Sequence, residues 1–295
     1  MTVLQQGIVD THCHLWKVEI SGETWVKPEM GPLHRSFVPD DLAEASREVS
    51  VVSAVVVEAG DTAQENAELE RMASDSDLIG AFVPHADLES AGLTDDLDCW
   101  GGSPKYRGVR MRFEAHADPR ILARPGVVEG FGRFVETGAP FDFLVRAGHL
   151  EDLLRLFDRF PDLRGVIEHM AKPDVAERSD SELWHKGMKD LARNTGLSCK
   201  LSLSPRSEDM PALFRKPGSG WDVEGIRRYV QLLLDEFGPD RLMWGSDWPI
   251  ALLTSDYAGT LRAMGDAIGP LRPDDEAKMF RTNAAAFYGL DLGNA

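Results

Sequence analysis

His12 and His14 stand one residue apart at the end of the apolar run Gly7-Ile8-Val9-Asp10-Thr11. Alternate side chains of a β-strand share a face, so both imidazoles aim at one point. Neutral imidazole is a good ligand for a divalent cation, and a converging pair is the start of a metal or catalytic site. Cys13, between them, takes the opposite face and reads as a small buried hydrophobe rather than a nucleophile. Asp247 is the second informative residue. It follows an apolar run and Gly245-Ser246, and the Trp248-Pro249 behind it ends any regular element. An acid in that place is better suited to act as a base or a ligand than as a helix cap.

Groups from opposite ends of the chain meet only if the fold brings strand ends together. Short β-branched or apolar runs recur at Ile8–His12, Ala54–Glu58, Ile79–Pro84, Gly108–Arg112, Phe141–Val145, Gly165–His169, Leu197–Leu201 and Leu242–Gly245. Their nearly continuous apolar character suits parallel strands buried on both faces. Helical patterns separate them: Pro39–Val49, Thr62–Ser74, a short one through Leu93, Leu97 and Trp100, then Val127–Thr137, Leu150–Phe160, Ser181–Asn194, Val223–Phe237 and Asp256–Ile268. A last helix, Asp274–Tyr288, follows the eighth unit. Leu150, Leu153, Leu154 and Phe157 form an i, i+3, i+4, i+7 stripe that a sheet would cover. Eight β/α units in 295 residues predict an α/β fold, a distorted (β/α)8 TIM barrel, as a single domain spanning residues 1–295. An open doubly wound sheet is the alternative, but no Gly-x-Gly-x-x-Gly follows the first strand.

In such a barrel the chemistry sits at the C-terminal strand ends. Read in order, those ends carry His12 and His14, Glu58, His85 and Asp87, Arg110 and Arg112, Arg146 with His149, Glu168 and His169, Lys200 with Ser202, and Asp247. Gathering so many ionisable groups on one rim costs desolvation, which a purely structural barrel has no reason to accept. Each has a plainer reading. Glu58 and Lys200 form a structural ion pair, Arg112 faces the outer helices, His85 is a solvated loop residue like His34 and His116, and His185 lies on a helix surface.

Composition excludes several classes. The net charge of −17 leaves no electrostatic reason to bind nucleic acid or anionic lipid. Three cysteines, Cys13, Cys99 and Cys199, without a CxxC pair argue against a disulfide framework and for a reducing compartment. Met1–Gln6 lack the basic and apolar regions of a secretory leader, and no run reaches the length of a membrane span. A cytoplasmic enzyme with a small-molecule substrate, free to form oligomers, is the expectation.

Four segments together carry a family resemblance: Val9-Asp10-Thr11-His12-Cys13-His14-Leu15-Trp16, Glu168-His169-Met170-Ala171-Lys172-Pro173, Cys199-Lys200-Leu201-Ser202, and the stretch from Phe237 to Pro249 with Gly245-Ser246-Asp247-Trp248-Pro249 at its end. They resemble the amidohydrolase superfamily, in its amidohydrolase-2 branch of sugar-acid lactonases and 2-pyrone-4,6-dicarboxylate lactonases. The resemblance implies a barrel that hydrolyses an ester or lactone. It implies His12, His14, His169 and Asp247 as ligands of one divalent metal ion, zinc or manganese, in members that use one, and no organic cofactor. No fourth-strand lysine is present to bridge two metals.

On this reading the lactone of a sugar acid or related carboxylated ring is opened, with Asp247 as the base on water and His169 as a further ligand or an electrophile. Arg110, Arg146 and Arg112 suit carboxylate or hydroxyl groups, His85 is a further polar contact, and Trp16, Trp25 and Trp248 are candidate apolar walls. Three positions depart from the pattern: Met111, the segment Arg146-Ala147-Gly148-His149, and Ala251. Two alternatives share the scaffold, a non-oxidative decarboxylase of an aromatic or unsaturated acid and an inactive sugar-acid binding protein.

Overall fold

A computed structural model describes residues 7–176, 181–206 and 208–293. The hexapeptide Met1–Gln6, read above for a leader, lies outside the described residues. The predicted strands are present as β1 (Ile8–Cys13), β2 (Val51–Val57), β3 (Ile79–Val83), β4 (Val109–Met111), β5 (Phe141–Phe143), β6 (Gly165–Ile167), β7 (Ser198–Ser202) and β8 (Leu242–Gly245). All pairings are parallel, β1-β2-β3 in one sheet and β4-β5-β6-β7-β8 in another.

Isolated backbone contacts join the two sheets at both margins. The Asp247 N–H donates to His12 O at 2.8 Å and the His14 N–H to Trp248 O at 2.7 Å, which ties β8 to β1. Ala86 and Arg110 supply the corresponding bonds between β3 and β4. The result is a distorted (β/α)8 barrel, loosest at these two junctions.

Four strands, β3 to β6, are shorter than expected, β5 and β6 for visible local reasons. After β5 the carbonyl of Leu144 accepts from the Glu114 N–H of the turn behind β4 instead of continuing the ladder. After β6 the chain leaves the extended region at once: His169, Met170, Ala171 and Lys172 all have φ between 44° and 57°. The helix expected over Pro39–Val49 ends as α2 at Ala45 (Pro39–Ala45), where the Ser46 hydroxyl bonds back to Leu42 O. The last helix is three pieces, Pro273–Ala277, a wider turn at Lys278–Thr282, and Asn283–Tyr288. Two short helices that the pattern did not predict, Val18–Thr24 and Met210–Arg215, lie in the loops after β1 and β7.

The remaining helices wrap the sheets with their apolar stripes inward. Leu150, Leu153 and Phe157 of Leu150–Arg159 are buried as the stripe predicts, Leu154 is half-buried, and Leu156, outside the stripe, is buried as well. Cys13 lies in the apolar core, its thiol on Val55 O. Among the described residues no helix is long and apolar enough to cross a membrane.

Candidate active site

Four groups converge inside the barrel mouth. β1 presents His12 and His14 on one face, and their Nε2 atoms lie 3.1 Å apart. Asp247 Oδ1, just beyond β8, is 3.3 Å from His14 Nε2 and 3.7 Å from His12 Nε2. His169 Nε2 completes the set at 3.9 Å from the same oxygen. All four residues are buried.

The far nitrogen of each imidazole is held by a different partner. His14 Nδ1 is 2.9 Å from Val57 O, His169 Nδ1 is 2.8 Å from Ser202 Oγ, and His12 Nδ1 is 3.0 Å from Glu168 Oε1. Val57 O can only accept, so His14 carries its proton on Nδ1, while His12 Nδ1 lies between an acceptor, Glu168, and a donor, Lys200 Nζ. The lone pair of His14 Nε2 is then turned toward His12 Nε2 at 3.1 Å and Asp247 Oδ1 at 3.3 Å, which suits a cation among the three. Ligands about 2.0–2.1 Å from a tetrahedral zinc ion are about 3.3 Å from one another, which fits this cluster. The donor set His12, His14, Asp247 therefore suits a divalent ion, with His169 beside it. A second grouping, His12, Glu168 and His169, suits one less well, because Glu168 is already bound by cations.

Electrostatics point the same way. Burial drives His12 well below its usual value, with Lys200 and His169 adding to the effect against Glu168, and burial chiefly pushes His169 down to about 4. Both are neutral and available as ligands. Burial alone would raise Asp247, but the imidazoles of His169, His14 and His12 outweigh it and keep the carboxylate ionised. Asp247 Oδ2 is buried with no partner.

Beneath the cluster lies a layer of buried ions. Arg110 Nε donates to Glu58 Oε1 at 2.8 Å, its Nη1 to Glu168 Oε2 at 2.9 Å, and its Nη2 to the Glu58 carbonyl at 2.5 Å. Lys200 Nζ lies 2.6 Å from Asp142 Oδ2, 3.5 Å from Glu168 Oε1 and 3.2 Å from His12 Nδ1. Tyr288 Oη also donates to Asp142. Glu58, Asp142, Glu168 and Asp247 thus face two fully buried cations, Arg110 and Lys200.

Several expectations are corrected by these contacts. Arg110 is not a rim residue for substrate, since carboxylates and a carbonyl take all three of its nitrogens. Glu58 and Lys200 do not pair with each other: Glu58 bonds Arg110 and approaches Arg112, while Lys200 belongs to Asp142 and Glu168. Arg112 reaches Asp61 rather than the outer helices.

Arg146 sits at the mouth with its guanidinium spent on Glu114 and Glu208. Trp248 is a core residue, edge-on to Phe37, which in turn meets Trp16 and through it Trp25. Trp25 donates its indole N–H to Glu65 at 3.0 Å and belongs to that aromatic cluster. His185 is half-buried against Trp184 and Tyr229 rather than on the surface. His85 lines a separate polar cavity of about 520 Å3 with Asp61, Asp87 and Arg112, and its Nδ1 has no hydrogen-bond partner.

Asp10 was missed altogether. Its carboxylate accepts from the Ser246 N–H and hydroxyl, the Tyr257 hydroxyl and the His12 N–H, at 2.6–3.1 Å. It clamps β8 to β1 and so fixes Asp247 against the two histidines. The only signal in the sequence was an acid inside an apolar run.

The amidohydrolase family profile matches residues 9–290. The chain belongs to the amidohydrolase family. Over 287 residues this amidohydrolase is 32% identical to an L-fucono-1,5-lactonase of Burkholderia ambifaria, covering 96% of each chain. It is 27% identical over 270 residues to a 2-pyrone-4,6-dicarboxylate hydrolase of Comamonas testosteroni, covering 83% of this chain and 78% of that one. Among solved structures it resembles an amidohydrolase of Burkholderia multivorans with bound zinc. The TM-score is 0.82 at 28% identity, and 97% of this chain and 100% of that chain are covered.

Proposed function

We propose that the chain, acting as one barrel domain, is a hydrolase that opens a lactone of a sugar acid or a related carboxylated ring. The observation that carries this reading is the split carboxylate of Asp247. Oδ1 faces three imidazoles, while Oδ2 is buried and unpartnered, free to take a proton from water. The similarity to curated lactonases supports the reaction class.

His12, His14, His169 and Asp247 Oδ1 would hold a divalent ion, zinc or manganese. When bound, it supplies Lewis acidity to the lactone carbonyl and lowers the pKa of water toward about 7. The protein's own groups do the rest. Glu168, Val57 O and Ser202 fix the imidazoles. Asp247 Oδ2 accepts a proton from water as the water oxygen forms its bond to the carbonyl carbon. The ring C–O bond then breaks, and the same proton passes to the departing alkoxide, giving a hydroxy acid.

The test is Asp247→Asn, assayed by proton release from a lactone panel with metal content measured on the same samples. Loss of a general base lowers kcat/KM at least about 100-fold. Turnover equal to that of the parent would refute the assignment of Asp247.

A further inference from the structure

A cavity of about 310 Å3 opens beside His169 and Ser202, at the inner end of the loops that follow β6, β7 and β8. Its walls are mainly hydrocarbon: Met170, Val175, Leu203, Leu213, Trp221 and Ile226. Four of the polar wall side chains are turned to protein partners, and Asp209 and Ser219 lie at its exposed edge. Lys172 Nζ donates to Glu114 at 2.7 Å, Trp221 Nε1 to Thr260 Oγ1 at 3.1 Å, and Asp222 accepts the Gly225 N–H at 2.9 Å. Arg206 is bound to Asp174 and Glu208. Among the described wall residues, only Arg206 Nε is a buried side-chain polar atom without a partner.

A polyol placed in such a space would surrender its hydrogen bonds to water and recover few of them. A hydrocarbon chain would gain on entry. The volume falls at the lower edge of the range of about 300–1,000 Å3 typical of pockets for drug-sized ligands. That is more than a bare lactone ring needs, and the cavity is continuous with the catalytic centre through His169.

We propose that this cavity is a subsite for an apolar substituent of the lactone, an alkyl chain or aryl group carried on the ring that is opened. The proposal rests on the hydrolytic reading above and narrows it: the preferred substrates are hydrophobic lactones rather than fully hydroxylated ones. Leu213, on the short helix Met210–Arg215, covers the cavity and sets how much chain it admits.

The experiment uses the metal-loaded full chain. A series of γ-lactones with tails from methyl to octyl is compared with aldonolactones of the same ring size. The expected result is a kcat/KM that rises about fourfold per added methylene until the cavity is full. In Leu213→Trp, and independently in Val175→Phe, the rise is expected to stop at a shorter tail. A flat or falling series, with aldonolactones opened faster, would overturn the subsite and leave lactone hydrolysis standing. Failure to open either set would overturn the hydrolytic reading and this inference with it.

Discussion

Glu168→Gln tests whether the ion layer beneath the histidines tunes the site. The Glu168 side chain has no solvent exposure. It accepts from Arg110 Nη1 at 2.9 Å and lies 3.0 Å from His12 Nδ1 and 3.5 Å from Lys200 Nζ. Glutamine keeps one carbonyl oxygen, which can serve His12 or Arg110 but not both, and turns an amide donor toward the other group. Two consequences can be separated. First, His12 loses a charge-assisted bond that raises its basicity as a ligand, and outer partners of this kind change metal affinity about 10–100-fold. Second, one carboxylate charge is removed below the site, so two buried cations are left less compensated. Breaking a buried ion pair costs about 3–5 kcal/mol. At about 2–4 °C per kcal/mol for a domain of this size, Tm drops on the order of 10 °C.

The second effect is measured on chelator-treated protein, where no ion contributes, by thermal or urea unfolding. The first is measured by titrating zinc against a competing chelator at a temperature where both proteins are folded. A variant that binds zinc as tightly as the parent would show that Glu168 is structural only. A variant with unchanged Tm without metal would show that Arg110 and Lys200 do not depend on it.

Three further outcomes are expected. Of the three cysteines, Cys13 and Cys199 are buried with their thiols pushed up by burial, and Cys99 is exposed, so a thiol reagent labels one site on the native protein; a second fast thiol would refute this. Burial raises Glu114, but Lys172 and Arg146 outweigh it and hold its carboxyl below 4.5. A depressed folded value means stabilisation that is present above 4.5 and lost as pH falls below it, so the Tm gap between parent and Glu114→Gln should close on acidification, and a constant gap would refute the linkage. At φ 57° Ala171 is held in the left-handed region, so Ala171→Gly relieves about 1–2 kcal/mol of backbone strain while losing a similar amount in chain entropy and methyl burial. It should change stability by less than about 1 kcal/mol, whereas Ala267→Gly inside the helix Tyr257–Ile268 should cost about 2; equal losses in urea unfolding would refute the strain argument.

The converging cluster was legible in the sequence where local rules suffice. Strand alternation alone placed His12 and His14 on one face, and the Gly245-Ser246-Asp247 end of an apolar strand marked the acid. His169 was placed on the rim by its strand end and given its role as a ligand by family resemblance, because nothing about a histidine after Glu168 announces a left-handed turn. The ion layer was misread for a different reason. Arg110, Asp142 and Lys200 each stand at the middle of an apolar strand, as in Phe141-Asp142-Phe143. Alternation puts each on one face but does not say whether that face is the barrel interior or the helical coat. The partners are also remote: Ser246 and Tyr257 meet Asp10 across 236 and 247 residues. No local pattern carries that information.

His169 and Asp247, two of the four converging groups, sit on left-handed backbone, with φ of 49° and 55°. Three residues beyond His169 share that conformation, and none is glycine. Local preference opposes such a turn by about 1–2 kcal/mol per residue, so tertiary contacts must hold it. They are present. The Lys172 N–H closes the turn on His169 O at 2.8 Å, Trp184 Nε1 grips Met170 O at 2.7 Å, and Lys172 Nζ is fastened to Glu114. At the other ligand the Asp247 N–H is bonded to His12 O, and Asp10 holds the Ser246 that precedes it. Each strained segment is thus pinned beside the group it delivers. The left-handed turn sets His169 Nε2 3.9 Å from Asp247 Oδ1, and Met170 on the same turn lines the cavity beside it.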